Sequence, residues 1–455
     1  MITEIKDMTI HIATPRHPTL RNRVALLGDS RMGGSTRVGG QRLNAEDVDE
    51  NRVKPGTAVF HSAYSFASWA DALLDGELGF QHSDNYGFHD GTTNGVLGRV
   101  PSLIEKQRYW ACIYSAGTND PKPENGPVSF EGSMTAMARC WDQLLAEGIR
   151  VFIVQDLPRN SVAWAKFGFA GEDLTRLHAR MAGIRRFVAD YAASHEKIHV
   201  IDPLPSVMSV HASEPLSLLH FDGTHTSPWG GWRVGTLLAD AMRPYLPRRG
   251  LLLADAGDRF DAATNPHGTL LPNGLMLIDS SETNAQALPD GWIAFDPSAP
   301  VDGQIETTTQ RALGGFGNGV AIKARGATLA RTNGLIGIRA RVSVPRSAAG
   351  RVVEAMAVVH IKSGATGLRG VTCRLAAFDG MNTPPRLATA FEDGPAHLWP
   401  SEVAHRLVLR SPALAAPQDE SGALEVQLLA RLDSDELSGA NFDVSFERAS
   451  LRIVE

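Results

Sequence analysis

Four side chains in three separate segments are of the types that nucleophilic catalysis needs: Ser30, Asn119, Asp222 and His225. A serine hydroxyl needs a base to become a nucleophile, a histidine can be that base near neutral pH, and a carboxylate can orient the histidine. An asparagine amide and backbone N–H groups can stabilise the oxygen of a tetrahedral intermediate. Each residue alone has a simpler interpretation, because Gly-Asp-Ser and Asn-Asp are common in turns and helix caps. A site for acyl transfer therefore requires a fold that brings the segments together.

The third segment also has a second interpretation, as a metal site. His220, Asp222 and His225 lie close together in sequence, but the set has no evident fourth ligand. The three cysteines are widely spaced, which fits neither a disulfide framework nor a zinc motif. We favour acyl transfer, which needs no metal and no cofactor.

Continuous apolar runs in the first half of the chain are typical of strands that are covered on both faces. These runs are residues 24–27, 110–114, 151–154 and 198–201, with a shorter one expected before Asn85. Amphipathic helical patterns alternate with them, at residues 66–74, 134–145 and 174–191. The alternation predicts an α/β fold with a doubly wound parallel sheet, whose active site gathers at the carboxyl ends of the strands.

The pattern changes near residue 250. Apolar and polar residues alternate with period two at 337–345, 424–432 and 442–447. Such strands have one buried face, which predicts an antiparallel, jelly-roll-like β-sandwich. We predict a first domain at residues 1–250, a linker at 251–268 and an accessory domain at 269–455. Two independent cores are expected, so that a chain ending near Arg249 would fold alone.

The three polar segments resemble, in order and spacing, the conserved blocks of the SGNH hydrolases, also called GDSL esterases and lipases. The resemblance covers residues of about 20 to 245 and implies a flavodoxin-like α/β/α fold and the hydrolysis of carboxylic esters. It implies that Ser30 is the nucleophile, His225 the base and Asp222 its orienting partner. Asn119 and the backbone N–H of Ser30 would belong to the oxyanion hole, and no metal is implied.

One block departs from the family's pattern. The family's second block, often Ser-Gly-Asp-Thr, supplies a glycine N–H to the oxyanion hole. An ungapped alignment puts Asp90 at the glycine position, with Gly91 directly after it. A carboxylate near a developing oxyanion is unfavourable, so we favour Gly91 as the donor and keep Asp90 as the alternative.

Composition limits the classes of partner. The chain has 44 lysines and arginines and 50 aspartates and glutamates, a net charge of −6, and no basic surface for nucleic acid is indicated. No apolar run approaches the ~18 residues of a membrane span. The first residues lack the apolar core of a signal peptide, which predicts synthesis in the cytoplasm and leaves phage association or non-classical export open.

We therefore expect an ester hydrolase that forms an acyl-enzyme, with an O-acetylated polysaccharide as the expected substrate because accessory sandwiches often recognise polymers. The alternative is a binding or structural component of a phage or cell surface with a weakened hydrolase domain, for which Asp90 is the only hint. The second domain could equally serve packing or homo-oligomerisation. Trp292 could stack on a sugar or belong to the core.

Overall fold

A computed structural model gives the arrangement of most of the chain. It describes residues 22–38, 57–106, 109–209, 214–247, 257–278, 288–295, 301–329, 334–380, 383–391, 399–419, 421–432 and 439–454. Within these ranges, no helix combines the length and the apolar character that crossing a membrane requires.

The first half of the chain alternates strands and helices. Its strands are β1 (Val24–Gly28), β2 (Thr36–Val38), β3 (Ala58–His61), β4 (Ala111–Ser115), β5 (Arg150–Val154) and β6 (Ile198–Ile201). Its helices are α1 (Ser30–Gly33), α2 (Phe66–Leu73), α3 (Thr93–Lys106), α4 (Phe130–Ala146), α5 (Ser161–Ala165), α6 (Glu172–Ala193), α7 (Leu204–Val207) and α8 (Pro228–Met242).

Four of these strands form a parallel sheet in the order β1-β4-β5-β6. Buried apolar side chains on both faces pack against the helices. The predicted α/β fold and these four strands are confirmed. The strand expected before Asn85 does not form. The chain runs beside β1 there but makes only two isolated bridges, from Gly79 and Asn85, because a short 3₁₀ helix at His82–Asp84 interrupts the extended backbone.

The second half is rich in antiparallel strands, as the period-two pattern predicts. They are β7 (Ile293–Phe295), β8 (Val301–Arg311), β9 (Asn318–Leu329), β10 (Leu335–Ser343), β11 (Val352–Ile361), β12 (Leu368–Phe378), β13 (Arg386–Ala390), β14 (His405–Arg410), β15 (Leu414–Ala415), β16 (Ala423–Leu432) and β17 (Ala440–Ile453). One sheet has the order β2-β3-β13-β12-β16-β10-β7, and the other has the order β14-β11-β17-β9-β8 with β15 beside β11.

Trp292 belongs to the core of this second half. Its side chain lies in the main cluster of buried apolar residues and is only 4% exposed. Its indole N–H donates to the backbone carbonyl of Asn273 at 3.0 Å. Trp292 is therefore not placed to stack on a sugar.

The seven-stranded sheet is not built from the second half alone. Strand β3 pairs in parallel with β13, with Val59 opposite Ala388, and β2 pairs with β3. The expectation of independent cores is therefore wrong, because buried residues of α2, α8 and both sheets form one contiguous cluster. The physical reason is visible at Trp69 of α2, whose ring centroid lies 4.9 Å from that of Phe391 and 4.8 Å from that of Trp399.

Charged side chains cross the same boundary. Arg410 of β14 is buried and lies 3.6 Å from a carboxylate oxygen of Asp71 and 3.8 Å from one of Glu354. Nearer the surface, Arg406 pairs with Asp75 at 2.6 Å. A buried charge that loses its partners is costly, so these contacts also link the two halves.

A substitution at the aromatic contact tests whether the halves unfold together. Trp399→Ala should lower the free energy of unfolding by about 3–5 kcal/mol, because it removes a buried indole from both halves' shared core. Calorimetry should show one transition, shifted as a whole. Val403→Ala is the control, since Val403 is 43% exposed and should change stability by less than about 0.5 kcal/mol. Two separate transitions, with only one displaced by Trp399→Ala, would contradict the shared core.

Candidate functional site

Ser30 begins α1 directly after β1 ends. At Gly28 the end of β1 approaches β4 so closely that an added Cβ would lie 2.0 Å from the carbonyl oxygen of Ser115. The Asp29 carboxylate then accepts the backbone N–H of Arg31 at 2.9 Å and caps the short helix. This tight turn places the Ser30 side chain at the carboxyl edge of the parallel sheet.

Asp222 and His225 lie at the tip of a narrow loop that precedes α8. The loop is closed by a hydrogen bond from the N–H of Phe221 to the carbonyl of His225 at 3.1 Å, and Gly223 turns the chain at a φ of +84°. One carboxylate oxygen of Asp222 accepts the backbone N–H groups of Thr224 at 2.9 Å and His225 at 2.7 Å. The carboxylate is therefore fixed by its own loop.

The structure joins the two segments through a chain of hydrogen bonds. The Oγ of Ser30 lies 2.9 Å from Nε2 of His225, and Nδ1 of His225 lies 2.6 Å from Oδ2 of Asp222. A carboxylate only accepts, so Nδ1 donates to it and Nε2 is left to accept the Ser30 hydroxyl proton. This arrangement can draw a proton from the serine as it attacks an electrophile.

The carboxylate of Asp222 is held in its charged form. Partial burial opposes the charge, but hydrogen bonds from the side chain and backbone of His225 and from Thr224 outweigh it and keep the pKa of Asp222 below its usual range. Asp222 is therefore ionised at neutral pH, where it can stabilise a positive charge on the imidazole.

Asn119 follows β4 at the same edge of the sheet and is buried. Its side-chain carbonyl accepts a hydrogen bond from Nη2 of Arg159 at 2.7 Å. Its amide nitrogen donates a hydrogen bond to the carbonyl of Gly91 at 3.2 Å. Burial, and the charge of Arg31, lower the pKa of Arg159 to about 10, so it still carries its proton. Because Arg159 binds the oxygen, the amide N–H groups must point the other way.

Asp90 and Gly91, the two candidate backbone donors to the oxyanion, lie beside the turn that carries Ser30. An added Cβ on Gly91 would be 3.3 Å from Cα of Asp29. The Gly91 N–H donates to the carbonyl of Phe88 at 3.4 Å, whereas the backbone N–H of Asp90 makes no hydrogen bond to a backbone carbonyl among the described residues. Asp90 has a φ of +52°, in the left-handed region that favours glycine.

The side chain of Asp90 is engaged elsewhere. Its carboxylate pairs with Nζ of Lys122 at 2.6 Å and with Nε2 of His89 at 3.0 Å. Partial burial raises its pKa, but the hydrogen bond and charge of Lys122 outweigh burial, so the pKa of Asp90 lies below its usual value. The charge is thus bound by Lys122, whose own side chain is only 5% exposed.

Sequence reasoning missed several charged residues around the site, among them Arg31, Lys122, Asp156 and Arg159. Arg31 is buried, pairs with Asp156 at 2.5 Å and donates to the carbonyl of Thr224 at 3.1 Å. Asp156 and Arg159 follow β5 at the same sheet edge, so their position was a usable signal. Arg31 directly follows Ser30, but its contacts with Asp156 and Thr224 are tertiary, as is that of Lys122 with Asp90, so sequence spacing does not reveal them.

The segment of His220, Asp222 and His225 does not bring its described side chains together as a set of metal ligands. Burial and the nearby charge of Arg31 lower the pKa of His220 to about 3, which keeps its imidazole neutral. Across the residues that the structure describes, no three His, Cys, Asp or Glu side chains are grouped to hold an ion. The hydrogen-bonded chain through His225 is the arrangement that the segment does form.

The family comparison agrees with this geometry. Residues 98–240 match a model of the SGNH domain, in the form described as fused to AT3 domains. This region of the chain is similar to an SGNH domain. The matched residues include Asn119, Asp222 and His225, whereas Ser30 and Asp90 precede them.

Solved structures resemble half of the chain. The chain is similar to a lipase/acylhydrolase from Enterococcus faecalis, at 19% identity and a TM-score of 0.35, covering 50% of this chain and 98% of that one. A GDSL-like lipase from Bacteroides thetaiotaomicron has 17% identity and a TM-score of 0.33, with coverage of 50% and 89%. A carbohydrate esterase family 3 protein from Talaromyces cellulolyticus has 12% identity and a TM-score of 0.33, with coverage of 49% and 97%. No curated protein matches the sequence.

The contact between His225 and Asp222 predicts a spectroscopic signal. A proton held between Nδ1 and Oδ2 at 2.6 Å should give a proton resonance far downfield of the backbone amides, because a short charge-assisted hydrogen bond deshields it. Since the pKa of Asp222 is lowered, the resonance should persist into mild acid. Asp222→Asn should abolish it, and His199→Gln should leave it in place. The same resonance in folded Asp222→Asn protein would refute the assignment.

Proposed function

We propose that the SGNH domain hydrolyses carboxylic esters through an acyl-enzyme on Ser30. The observation that carries the proposal is the continuous hydrogen-bonded chain from Ser30 through His225 to Asp222. In the first step the serine oxygen attacks the ester carbonyl carbon, and His225 takes the hydroxyl proton. The same proton passes to the leaving alcohol as the ester bond breaks. Water then attacks the acyl-enzyme with His225 as base, which releases the acid and restores the serine.

Three donors would stabilise the oxyanion of both tetrahedral intermediates. The backbone N–H of Ser30 and the side-chain amide of Asn119 are two of them, and Arg159 orients that amide. For the third donor the N–H of Asp90 is better suited than that of Gly91. The first makes no hydrogen bond to a backbone carbonyl among the described residues, whereas the second is directed to Phe88. The carboxylate of Asp90 need not oppose the oxyanion, because Lys122 binds it.

The substrate that the site suits best is an acetyl ester. The depression that holds Ser30 and His225 is lined by the rings of Tyr64 and Phe221 and has a volume of about 20 Å³. A volume of that size holds roughly one water molecule, and so suits the methyl group of an acetyl ester better than a long acyl chain. We keep an O-acetylated polysaccharide as the proposed partner, and homo-oligomerisation as the alternative role of the second half.

The alternative of a binding or structural component with a weakened hydrolase domain rests on Asp90. Its carboxylate would weaken catalysis if it faced the oxyanion, but it contacts Lys122 and His89 instead. The pairing supports an active enzyme over this alternative.

Removal of the nucleophile tests the proposal directly. Ser30→Ala should lower the rate of hydrolysis of 4-nitrophenyl acetate by roughly 10³-fold or more, because the acyl-enzyme can no longer form. The temperature of unfolding should stay the same. Ser194→Ala, at the exposed end of α6, is the matched control and should be fully active. Retained hydrolysis in folded Ser30→Ala protein would rule out this mechanism.

The oxyanion donors predict a separate pattern. Asn119→Ala should lower kcat by roughly 10²–10³-fold with little change in KM, because the hydrogen bond from the amide strengthens in the transition state.

Asp90→Gly should leave kcat nearly unchanged, since it keeps the N–H and suits the positive φ but removes the partner of Lys122. A clear rise in kcat for Asp90→Gly would show that the carboxylate opposes the oxyanion, and would favour the weakened-hydrolase alternative.

A further inference from the structure

Arg37 lies beside Ser30, the candidate nucleophile. No carboxylate of the described residues pairs with the Arg37 guanidinium. It lines the same depression as Ser30 and His225. Its Nε is buried and has no hydrogen-bond partner within the described part of the chain. Its guanidinium carbon lies 5.6 Å from the ring centroid of Tyr64, so the guanidinium makes a cation–π contact with an aromatic ring.

The other arginine of the depression, Arg31, already has a carboxylate partner. Arg31 binds Asp156 through Nη1 and the carbonyl of Thr224 through Nε, and its side chain is fully buried. The charge of Arg31 is balanced by Asp156, and only its buried Nη2 lacks a hydrogen-bond partner among the described residues, whereas no carboxylate balances Arg37.

Arg37 is held in place by the seven-stranded sheet. It lies on β2, opposite Phe60 of β3. The residues before it are fixed: Ser35 accepts the hydroxyl of Ser65 at 2.8 Å, and the hydroxyl of Thr36 accepts the amide of Asn85 at 2.9 Å. The strand therefore presents the guanidinium from a well-anchored backbone rather than from a loop.

We infer that Arg37 determines substrate specificity by binding a carboxylate on the alcohol part of the ester. The inference rests on the proposed function and names its substrate class, the acetyl esters of carboxylate-bearing alcohols such as acidic sugars. A guanidinium binds a carboxylate through two parallel hydrogen bonds, which fixes both position and orientation. The acetyl group of the proposed substrate carries no charge, so the anion belongs to the alcohol.

Two further observations support a local anion site. Phe221 is 36% exposed and its ring centroid lies 5.2 Å from that of Tyr64, so apolar surface adjoins the guanidinium for the ring that carries the carboxylate. The chain as a whole has a net charge of −6, which does not attract anions. A preference for an anionic ester would therefore have to arise from a local cation.

The test compares two esters of nearly equal size, 3-acetoxybenzoate and its uncharged amide, 3-acetoxybenzamide. Arg37→Gln should lower the ratio of kcat/KM for the anionic ester to that for the neutral one by roughly 10- to 100-fold, mainly through KM. Arg37→Lys should restore part of the ratio, because it keeps the charge but loses the planar fork. Arg176→Gln, on the exposed face of α6, is the control and should leave the ratio unchanged.

A binding measurement separates this inference from the proposed function. The product 3-hydroxybenzoate should bind the full-length protein in calorimetry, and Arg37→Gln should weaken that binding by a similar factor. An unchanged ester ratio and unchanged product affinity in Arg37→Gln would overturn the inference while the hydrolase stands. Arg37-dependent binding of 3-hydroxybenzoate, with neither ester hydrolysed by the wild type, would support the anion site and reject the proposed hydrolysis.

Discussion

The position of His225 depends on a close approach of α8 to α2 that only glycine permits. A Cβ on Gly235 would lie 2.5 Å from Cβ of Trp69, and one on Gly231 would lie 2.9 Å from the carbonyl oxygen of Ala63. Glycine within a helix costs roughly 1 kcal/mol relative to alanine, so its presence at these positions reflects the contact and not helix propensity. Because α8 begins three residues after His225, this contact sets the distance between the imidazole and the end of β1.

The same contact links the site to the second half of the chain. Trp69 lies between the glycine face of α8 and the aromatic rings of Phe391 and Trp399. Strand β3 adds a backbone connection, since it pairs with β13. The seven-stranded sheet is therefore part of the support of the catalytic edge, and it also carries Arg37 into the depression beside Ser30. This arrangement explains why residue 250 marks a change of pattern in the sequence without marking a boundary in the core.

Much of the fold was accessible from the sequence because periodicity reports burial directly. The four parallel strands are continuous apolar runs, and the long strands of the second half alternate, so both types were predictable. The short strands β2 and β3 were not, because three or four residues give no measurable period. In addition β13, the strand that pairs with β3, lies more than three hundred residues away in sequence. The interrupted strand before Asn85 failed for a related reason, since a local capping arrangement at Gln81 overrides the extended backbone.

Some residues of the candidate site could also be predicted from the sequence, and others could not. Ser30, Asn119, Asp222 and His225 could be found because loops at the ends of parallel strands converge. The conformation of Asp90 could not be predicted from the sequence, because its positive φ and its contact with Lys122 depend on the tertiary structure.

The central claim is that Ser30 is an activated nucleophile, and covalent labelling tests it most directly. A fluorophosphonate reacts with a serine whose hydroxyl proton is drawn away by a base, and intact-protein and peptide mass spectrometry locate the adduct. We expect a single phosphonyl group on the peptide that contains Ser30, formed far more slowly in His225→Ala protein. An adduct on another residue of the folded protein, or no adduct at all, would contradict it.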